Sequence, residues 1–384
     1  AARAQHAAIV AIRRHLHMHP ELSFQEFNTA KFVAKKLKEF NIEFQEGVHG
    51  TGLVALIKGK NPEKATVALR ADIDALPILE ENDLPYKSTN EGVMHACGHD
   101  VHTASLLGTA RLLDSLKDAF EGTFKLIFQP AEEKNPGGAM GMIKEGVLEN
   151  PRPKGIMGQH VNSSMPVGQV GFIKGKMLAS ADELYLTVQG KGGHAAMPHL
   201  SVDPILIAAH IIVSLQQIVT RHCNPITPSV LSLCHIAAGH TTNVIPETVK
   251  ILGTFRTVDE QWREEAHQKI VNVARGVAQA MGGDCEVVIN KGYPTLSNDS
   301  ALTQRSLEAA KAFLGASKVK EEYFAYYTQQ ISGCFYYIGV QNNAMNINSS
   351  LHTPTFNVDE SALEMGPGLM TWLALQELAF QQAS

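Results

Sequence analysis

Between residues 94 and 102 the chain reads MHACGHDVH, which places His95, Cys97, His99, Asp100 and His102 within eight positions. The apolar run TASLLGTARLL follows directly. A cysteine and a histidine two residues apart on an irregular loop can both reach one divalent cation, and Cys-x-His has the character of a zinc ligand pair. A polar helix start with incidental histidines is the bland alternative. A second feature is the adjacent pair Glu132 and Glu133, which follows the apolar strand and loop LIFQPA. On a non-helical turn, neighbouring side chains face different ways. One carboxylate can then ligate a metal while the other handles the proton of a coordinated water, whose pKa zinc brings to ~7. A solvated surface pair is the ordinary alternative, and it is weaker after a buried strand.

These residues need elements to bring them together. TGLVALIKG (51–59), ATVALRADIDALP (65–77), GTFKLIFQP (122–130) and GIMGQHV (155–161) read as strands, interleaved with helices near 5–17, 26–40, 100–118 and 137–148. That alternation predicts a mixed α/β fold whose mostly parallel sheet is covered by helices on both faces. In such sheets, ligands gather beyond the carboxyl ends of the strands. Asp72 and Asp74, Glu132 and Glu133, and His160 each follow a predicted strand, while Cys97 and His99 precede a helix and His352 sits in the late loop SSLHTPTF. The coincidence at one sheet edge points to a metal site. Asp72 and Asp74 could ligate, could orient a ligand histidine, or could simply cap strand ends.

From about residue 180 the rhythm changes. DELYLTVQG (182–190), a helix at 203–219, strands at 229–239 and 247–258, a helix at 261–281 and a strand at 285–293 give the order βαββαβ of a ferredoxin-like unit. Helix and strand resume at 299–314, 334–340 and 361–380. The simplest division is a discontinuous domain, 1–178 plus 294–384, with an inserted domain at 179–293. For 384 residues, two domains are also the default.

A formal charge of −5 makes no field suited to nucleic acid, and no apolar segment is read as long enough to cross a bilayer. Five scattered cysteines argue against a disulfide framework and for a reducing compartment. The start AARAQHAAIV shows no apolar signal core. A cytoplasmic location is therefore expected, with export left open because no initiator Met is present.

The motifs RRHLHMHPELSFQE, ALRADIDALPI, MHACGHDVHTA, FQPAEE, GKGGHAAMPH, NVIPETV with GTFRT, and HTPTF together resemble the metal-dependent aminoacylase and carboxypeptidase family. The branch in question holds hippurate hydrolases, indoleacetyl-amino-acid hydrolases and N-acetyldiaminopimelate deacetylases. The resemblance implies a zinc-peptidase-like fold with an inserted lid and dimerisation domain. It implies Cys97, His99, Glu133, His160 and His352 as ligands of one or two divalent ions, zinc first, with manganese, cobalt or nickel as alternatives. It implies Glu132 as general base and His194 as a residue reaching a neighbouring subunit's site to steady an oxyanion. Asn243 and Arg256 would hold the substrate, and Asp72, Asp74 and Asp100 would support the ligands. The expected reaction is hydrolysis of N-acyl amino acids or small dipeptides by a homodimer or higher homo-oligomer.

Two rival readings differ in class. A non-catalytic metal-dependent binding protein would keep the fold and site, but it has no use for the base Glu132. A nucleotide-dependent enzyme would need a phosphate-cradling glycine loop, and GKGGHA follows the wrong pattern. One departure from the resemblance stands out: where that family usually has a Gly-Glu-Asp-Phe stretch, this chain reads KEEYFAYY (320–327), so that Glu322 and Phe324 match while Tyr323 stands in place of the acid.

Overall fold

The computed structural model describes residues 2–321 and 331–383, so Glu322, Tyr323 and Phe324 of the departing stretch lie outside the described residues. The chain divides into two compact units, one of Ala1–Gly175 with Ser297–Ser384, the other of Lys176–Leu296.

The first unit is built from helices α1 (Ala2–Met18) and α2 (Phe27–Glu39), strands β1 (Glu43–Val48), β2 (Gly52–Lys58) and β3 (Thr66–Asp72), and helix α3 (His99–Ser115). Strand β4 (Thr123–Gln129), helix α4 (Gly138–Lys144), and strands β5 (Gly155–Pro166) and β6 (Val170–Phe172) follow, and β7 (Gly175–Leu178) carries the chain into the second unit. Eight strands form one sheet in the order β1-β2-β4-β3-β5-β16-β6-β15. Its centre is parallel, since β3 pairs in parallel with β4 and β5, and β5 with β16. Every residue of β3 and β4 is buried, as expected of strands covered on both faces. Val67, Leu69, Phe124, Leu126 and Phe128 join the core beneath α1, α3 and α8, while Ala68, Ile127 and Ile156 form a smaller cluster with Ala139 and Met142 of α4. Gly108 lets α3 pack closely, because a Cβ there would stand 2.9 Å from Ile9 and 3.0 Å from Pro367. The alternating pattern of buried residues in β1 is weak, which is why this edge strand escapes the sequence reading.

The second unit contains β8 (Asp182–Gln189), β9 (Gly193–His194), α5 (Pro204–Gln217), β10 (Ser229–Ala238), β11 (Val244–Ile245), β12 (Thr248–Thr257), α6 (Glu260–Ala280) and β13 (Asp284–Lys291). Its four-stranded antiparallel sheet has the order β10-β12-β8-β13, the ferredoxin-like arrangement. Leu184, Leu186 and Val188 alternate toward a core with Ile207, Ile211 and Leu215 of α5 and Ala266, Ile270 and Ala274 of α6. The chain then passes through β14 (Leu296–Asn298) to α7 (Ser300–Leu314), β15 (Val319–Glu321), β16 (Gly333–Gln341) and α8 (Ala362–Ala383).

One reading needs correcting. Pro204–His222 is a 19-residue helical stretch apolar enough, by length and composition, to cross a membrane. It carries no charge before Arg221, so the helix looks uniformly apolar once its π-helical last turn is counted. Ile207, Ile211, Leu215 and Ile218 are buried in the core of this unit.

Candidate metal centre

Strand register assembles the first part of the site. Asp72 pairs with Gln129 across β3 and β4, and Arg70 pairs with Gly158 across β3 and β5. Two residues beyond Gly158, His160 therefore stands level with Asp72, and it pairs with Tyr337 of β16. His160 does not end its strand, as the sequence suggests. Pairing with β16 continues to Pro166, so the histidine projects from within β5. Strand β4 stops at Gln129, and Pro130 leads the chain into the turn that carries Glu132 and Glu133.

Two loops supply the rest. Leu76 and Met94 exchange backbone hydrogen bonds of 3.0 Å, which anchors the loop before α3. Gly98 then turns at φ +78°, and a Cβ there would lie 2.5 Å from Val161 Cγ2, so only glycine fits between Cys97 and His99. The His352 N–H donates to the Ala96 carbonyl at 2.9 Å, joining two loops more than 250 residues apart. His352 itself has φ +59° and Ala131 has φ +49°. Such left-handed backbone is uncommon outside glycine and clusters at functional sites.

The side chains converge. Cys97 Sγ lies 3.4 Å from His160 Nε2 and 3.3 Å from His352 Nε2. Glu133 Oε1 is 3.3 Å from His352 Nε2 and 3.8 Å from His99 Nε2. Among the described residues, every cluster of three or more ligand-type side chains falls here, drawing on Cys97, His99, Glu132, Glu133, His160 and His352 together with Asp72 and His102. His99 Nε2 and Glu133 Oε1 are buried without any hydrogen-bond partner. Buried polar atoms are rarely left so. A sulfur, imidazole nitrogens and a carboxylate facing one another is the donor set that zinc and its neighbours take.

The surrounding groups orient these atoms. His99 Nδ1 meets the Asp74 carbonyl at 2.9 Å and its carboxylate at 3.2 Å. With Nδ1–H so engaged, Nε2 is left as the acceptor that a cation requires. His160 Nδ1 donates likewise to the Val161 carbonyl at 2.7 Å. His102 has both nitrogens in use: Nδ1 donates to Asp72 at 2.6 Å, and Nε2 accepts from Val161 N–H at 3.0 Å. It is therefore a brace between sheet and helix. Asp72 also takes Arg70 Nη1 at 2.5 Å. Asp74 thus meets a candidate ligand, His99, whereas Asp72 holds the bracing His102 rather than a candidate ligand. Asp100 differs from expectation, because its carboxylate takes Arg13 Nε at 2.7 Å and His17 Nδ1 at 2.8 Å and serves no ligand histidine. Helix α1 lies against the start of α3, so Asp100 turns inward to that buried pair. His95 is buried with both nitrogens unpartnered and belongs to no ligand group.

The electrostatics suit a cation. Burial, followed by the neighbouring Glu133 carboxylate, pushes Glu132 up to about 8. Burial also pushes the Cys97 thiol well above its usual range. For His99, burial opposes protonation, but Asp72, Cys97 and Asp74 outweigh it and raise the pKa well above the usual value. An excess of negative charge thus surrounds His99, and a divalent ion held there would reverse these shifts and favour the thiolate form of Cys97.

The remaining candidates lie in the second unit. The ribbon of β9 and β11 pairs His194 with Val244, and Ala195 N–H donates to the Asn243 carbonyl at 3.1 Å, so His194 and Asn243 are close neighbours. Ala196 N–H donates to His194 Nδ1 at 3.1 Å, which leaves the hydrogen on the exposed Nε2. Arg256 is exposed on β12, opposite Val230.

An α/β sheet with a soft-and-hard donor cluster beside a carboxylate of raised pKa defines a metal-dependent hydrolase site. Comparison with known proteins agrees. Peptidase family M20/M25/M40 matches residues 68–376. An N-acetyl-L-cysteine deacetylase of Bacillus subtilis is 42% identical over 92% of this chain and 84% of its own length. The IAA-amino acid hydrolase ILR1-like 4 of Arabidopsis thaliana is 37% identical over 98% of this chain and 87% of its own. The solved YXEP protein of Bacillus subtilis, described as a dinuclear metal binding peptidase, has a TM-score of 0.83 and 36% identity over 98% of this chain and 99% of that one. The chain belongs to peptidase family M20/M25/M40, and it is a metallo-amidohydrolase.

Sequence reading missed the supporting residues. Arg13, His17 and Glu26 lie inside the motif RRHLHMHPELSFQE and Glu80 two residues past ALRADIDALPI, all four buried, and charge placed inside an apolar pattern is the signal that could have found them.

Proposed function

We propose that the protein hydrolyses the amide bond of N-acyl amino acids or small dipeptides, releasing a carboxylic acid and a free amino acid. The observation that carries this reading is the convergence of His99 Nε2 and Glu133 Oε1, both buried without a hydrogen bond, with Cys97, His160 and His352 beside Glu132. Those five residues would hold one or two divalent ions, zinc first by donor type, with manganese, cobalt or nickel as alternatives. When bound, such an ion polarises the amide carbonyl and lowers the pKa of a coordinated water. Glu132 takes the proton of the attacking water and returns it to the nitrogen of the leaving amine. A carboxylate held beside the coordinated water can accept that proton and, once protonated, give it to the leaving nitrogen.

His194 is assigned the oxyanion, to which its Nε2–H would donate from a second copy of the chain. Arg256 and Asn243 are assigned the substrate's free carboxylate, with the arginine as a fork. A homodimer follows from the assignment of His194. It is supported by the exposed Ile205, Leu206 and Val213 of α5 and by the edge strand β10 with exposed Val230 and Ile236. The second unit then acts as a lid and dimerisation domain. Five free cysteines support a reducing, cytoplasmic location.

The test is amine release from N-acetyl, N-benzoyl and N-indoleacetyl amino acids and simple dipeptides. It is run on chelated protein and again after adding zinc, manganese or cobalt. Metal-restored hydrolysis is expected for at least one member. No release from any member by metal-loaded protein would overturn the reading.

A further inference from the structure

Glu26 has no part in the chemistry above, yet its carboxylate is fully buried beside the turn that carries the base. Oε1 accepts the Ala131 N–H at 2.8 Å and the Phe24 N–H at 2.9 Å, and Oε2 accepts the Thr51 hydroxyl at 2.6 Å. Ala131 directly precedes Glu132 and holds φ +49°, a left-handed conformation that disfavours any side chain. On the other side of the base, Asp74 Oδ2 accepts the Glu133 N–H at 2.9 Å and the Ser23 hydroxyl at 2.6 Å. The turn 131–133 is therefore gripped at both ends by buried carboxylates, with Glu132 between the two grips. Asp74 also engages a candidate ligand, His99, so its removal would mix metal loss with turn movement. Glu26 touches no ligand-type residue of the site.

We infer that Glu26 is a positioning residue, which holds the strained Ala131 backbone and thereby aims the Glu132 carboxylate. This inference rests on Glu132 being the base. The physical reason is that a carboxylate offers several acceptor lone pairs at one point. It can therefore serve an N–H from each side of the contact while itself being held by Thr51. Nothing in this role needs a negative charge. Burial raises the Glu26 pKa above the ordinary carboxylate value, and an amide of the same shape keeps one oxygen to accept the Ala131 and Phe24 N–H, while its NH2 can donate to a Thr51 hydroxyl turned to accept.

The experiment compares Glu26→Ala, Glu26→Asp, Glu26→Gln and Glu132→Gln, each metal-loaded, on the fastest-cleaved member of the substrate panel. Metal content, thermal midpoint, kcat and KM are all measured. The Ala and Asp variants should keep their metal and a KM within about twofold while kcat falls about 10- to 100-fold, the scale of a misplacement near 1 Å. The Asp variant keeps the charge but falls one methylene short of Ala131, and it decides the matter if the Ala variant does not fold. The Gln variant should recover most of kcat, which a charge-dependent role does not allow. Wild-type kcat in folded Asp and Ala variants overturns the inference, as does loss of metal in step with activity or a Gln variant as slow as Ala. If Glu132→Gln retains turnover, the base assignment itself falls. If Glu132→Gln is inactive while Glu26→Asp is unimpaired, only the positioning role is lost.

Discussion

Glu132 and Glu133 are chain neighbours with different surroundings. Glu133 turns one oxygen toward His99 and His352, whereas burial and that same neighbour drive Glu132 up to about 8. Glu132→Gln should therefore abolish turnover and leave the metal content unchanged. Metal analysis of the purified variant checks this, and loss of metal would make Glu132 a ligand instead. Gly98 makes a second test. A methyl group there meets Val161 at 2.5 Å on a backbone of φ +78°, and the strain falls between Cys97 and His99. Gly98→Ala should weaken metal binding by at least about tenfold, the scale of disturbed ligand orientation, as read by competition with a chromophoric chelator. The Cys-Gly-His-Asp and Glu-Glu pairs could be recognised from residue type and spacing alone. Asp100 could not, because whether a carboxylate beside a ligand faces the metal or a buried Arg13 depends on which helix packs behind it.

At the scale of elements, strands deliver the site and buried charges secure them. Asp182 shows the second effect at the start of β8, an inward position of an otherwise apolar alternation. Its carboxylate takes Arg263 Nε at 2.9 Å, Arg263 Nη2, His267 Nε2 at 2.7 Å and Gly292 N–H at 3.1 Å. Burial alone would raise its pKa, but the hydrogen bonds from Arg263 and His267 outweigh that and bring it to about 2. Because the folded value lies below the unfolded ~3.9, this group contributes roughly 2–3 kcal/mol above pH 4. The contribution is lost as pH falls from about 4 through 2. Asp182→Asn should lower stability in urea at pH 6, and the gap from wild type should shrink as pH approaches 2. A gap that stays constant over that range would remove the ionised carboxylate as its cause. The extent of β5 teaches the same lesson differently. Period and composition mark GIMGQHV as a strand, but the strand's end is set by its partner β16, which carries pairing on to Pro166.

At the scale of the whole molecule, the proposed exchange of His194 between copies has a distinctive consequence. Glu132→Gln and His194→Ala should each be inactive alone. In a symmetric dimer each site draws its base from one chain and its donor from the other. Mixing the two variants under conditions that allow subunit exchange makes half the dimers mixed, and each of those has one intact site. Activity should then return to about a quarter of the wild-type level. No recovery, with exchange confirmed by differently tagged chains, would place His194 outside a shared site. Ile236→Glu on the edge strand β10, where this side chain is 53% exposed, should shift the assembly toward monomer in light scattering.

Taken alone, the sequence determined the α/β class, the βαββαβ order of the inserted segment, and the presence of ligand-type side chains at Cys97, His99, Glu132, Glu133, His160 and His352, while the choice of Glu133 over Glu132 came from the family resemblance. It could do so because hydrophobic period and side-chain chemistry are local properties of the chain. The tertiary structure decided what depends on contacts between distant segments. Register placed His160 level with Asp72. The bond from His352 N–H to Ala96 closed the site across most of the chain. Packing of α1 turned Asp100 away, and packing of the 23–26 segment turned Glu26 toward Ala131. A carboxylate's type is written in the sequence, but its role follows from which donors the fold brings within 3 Å of it.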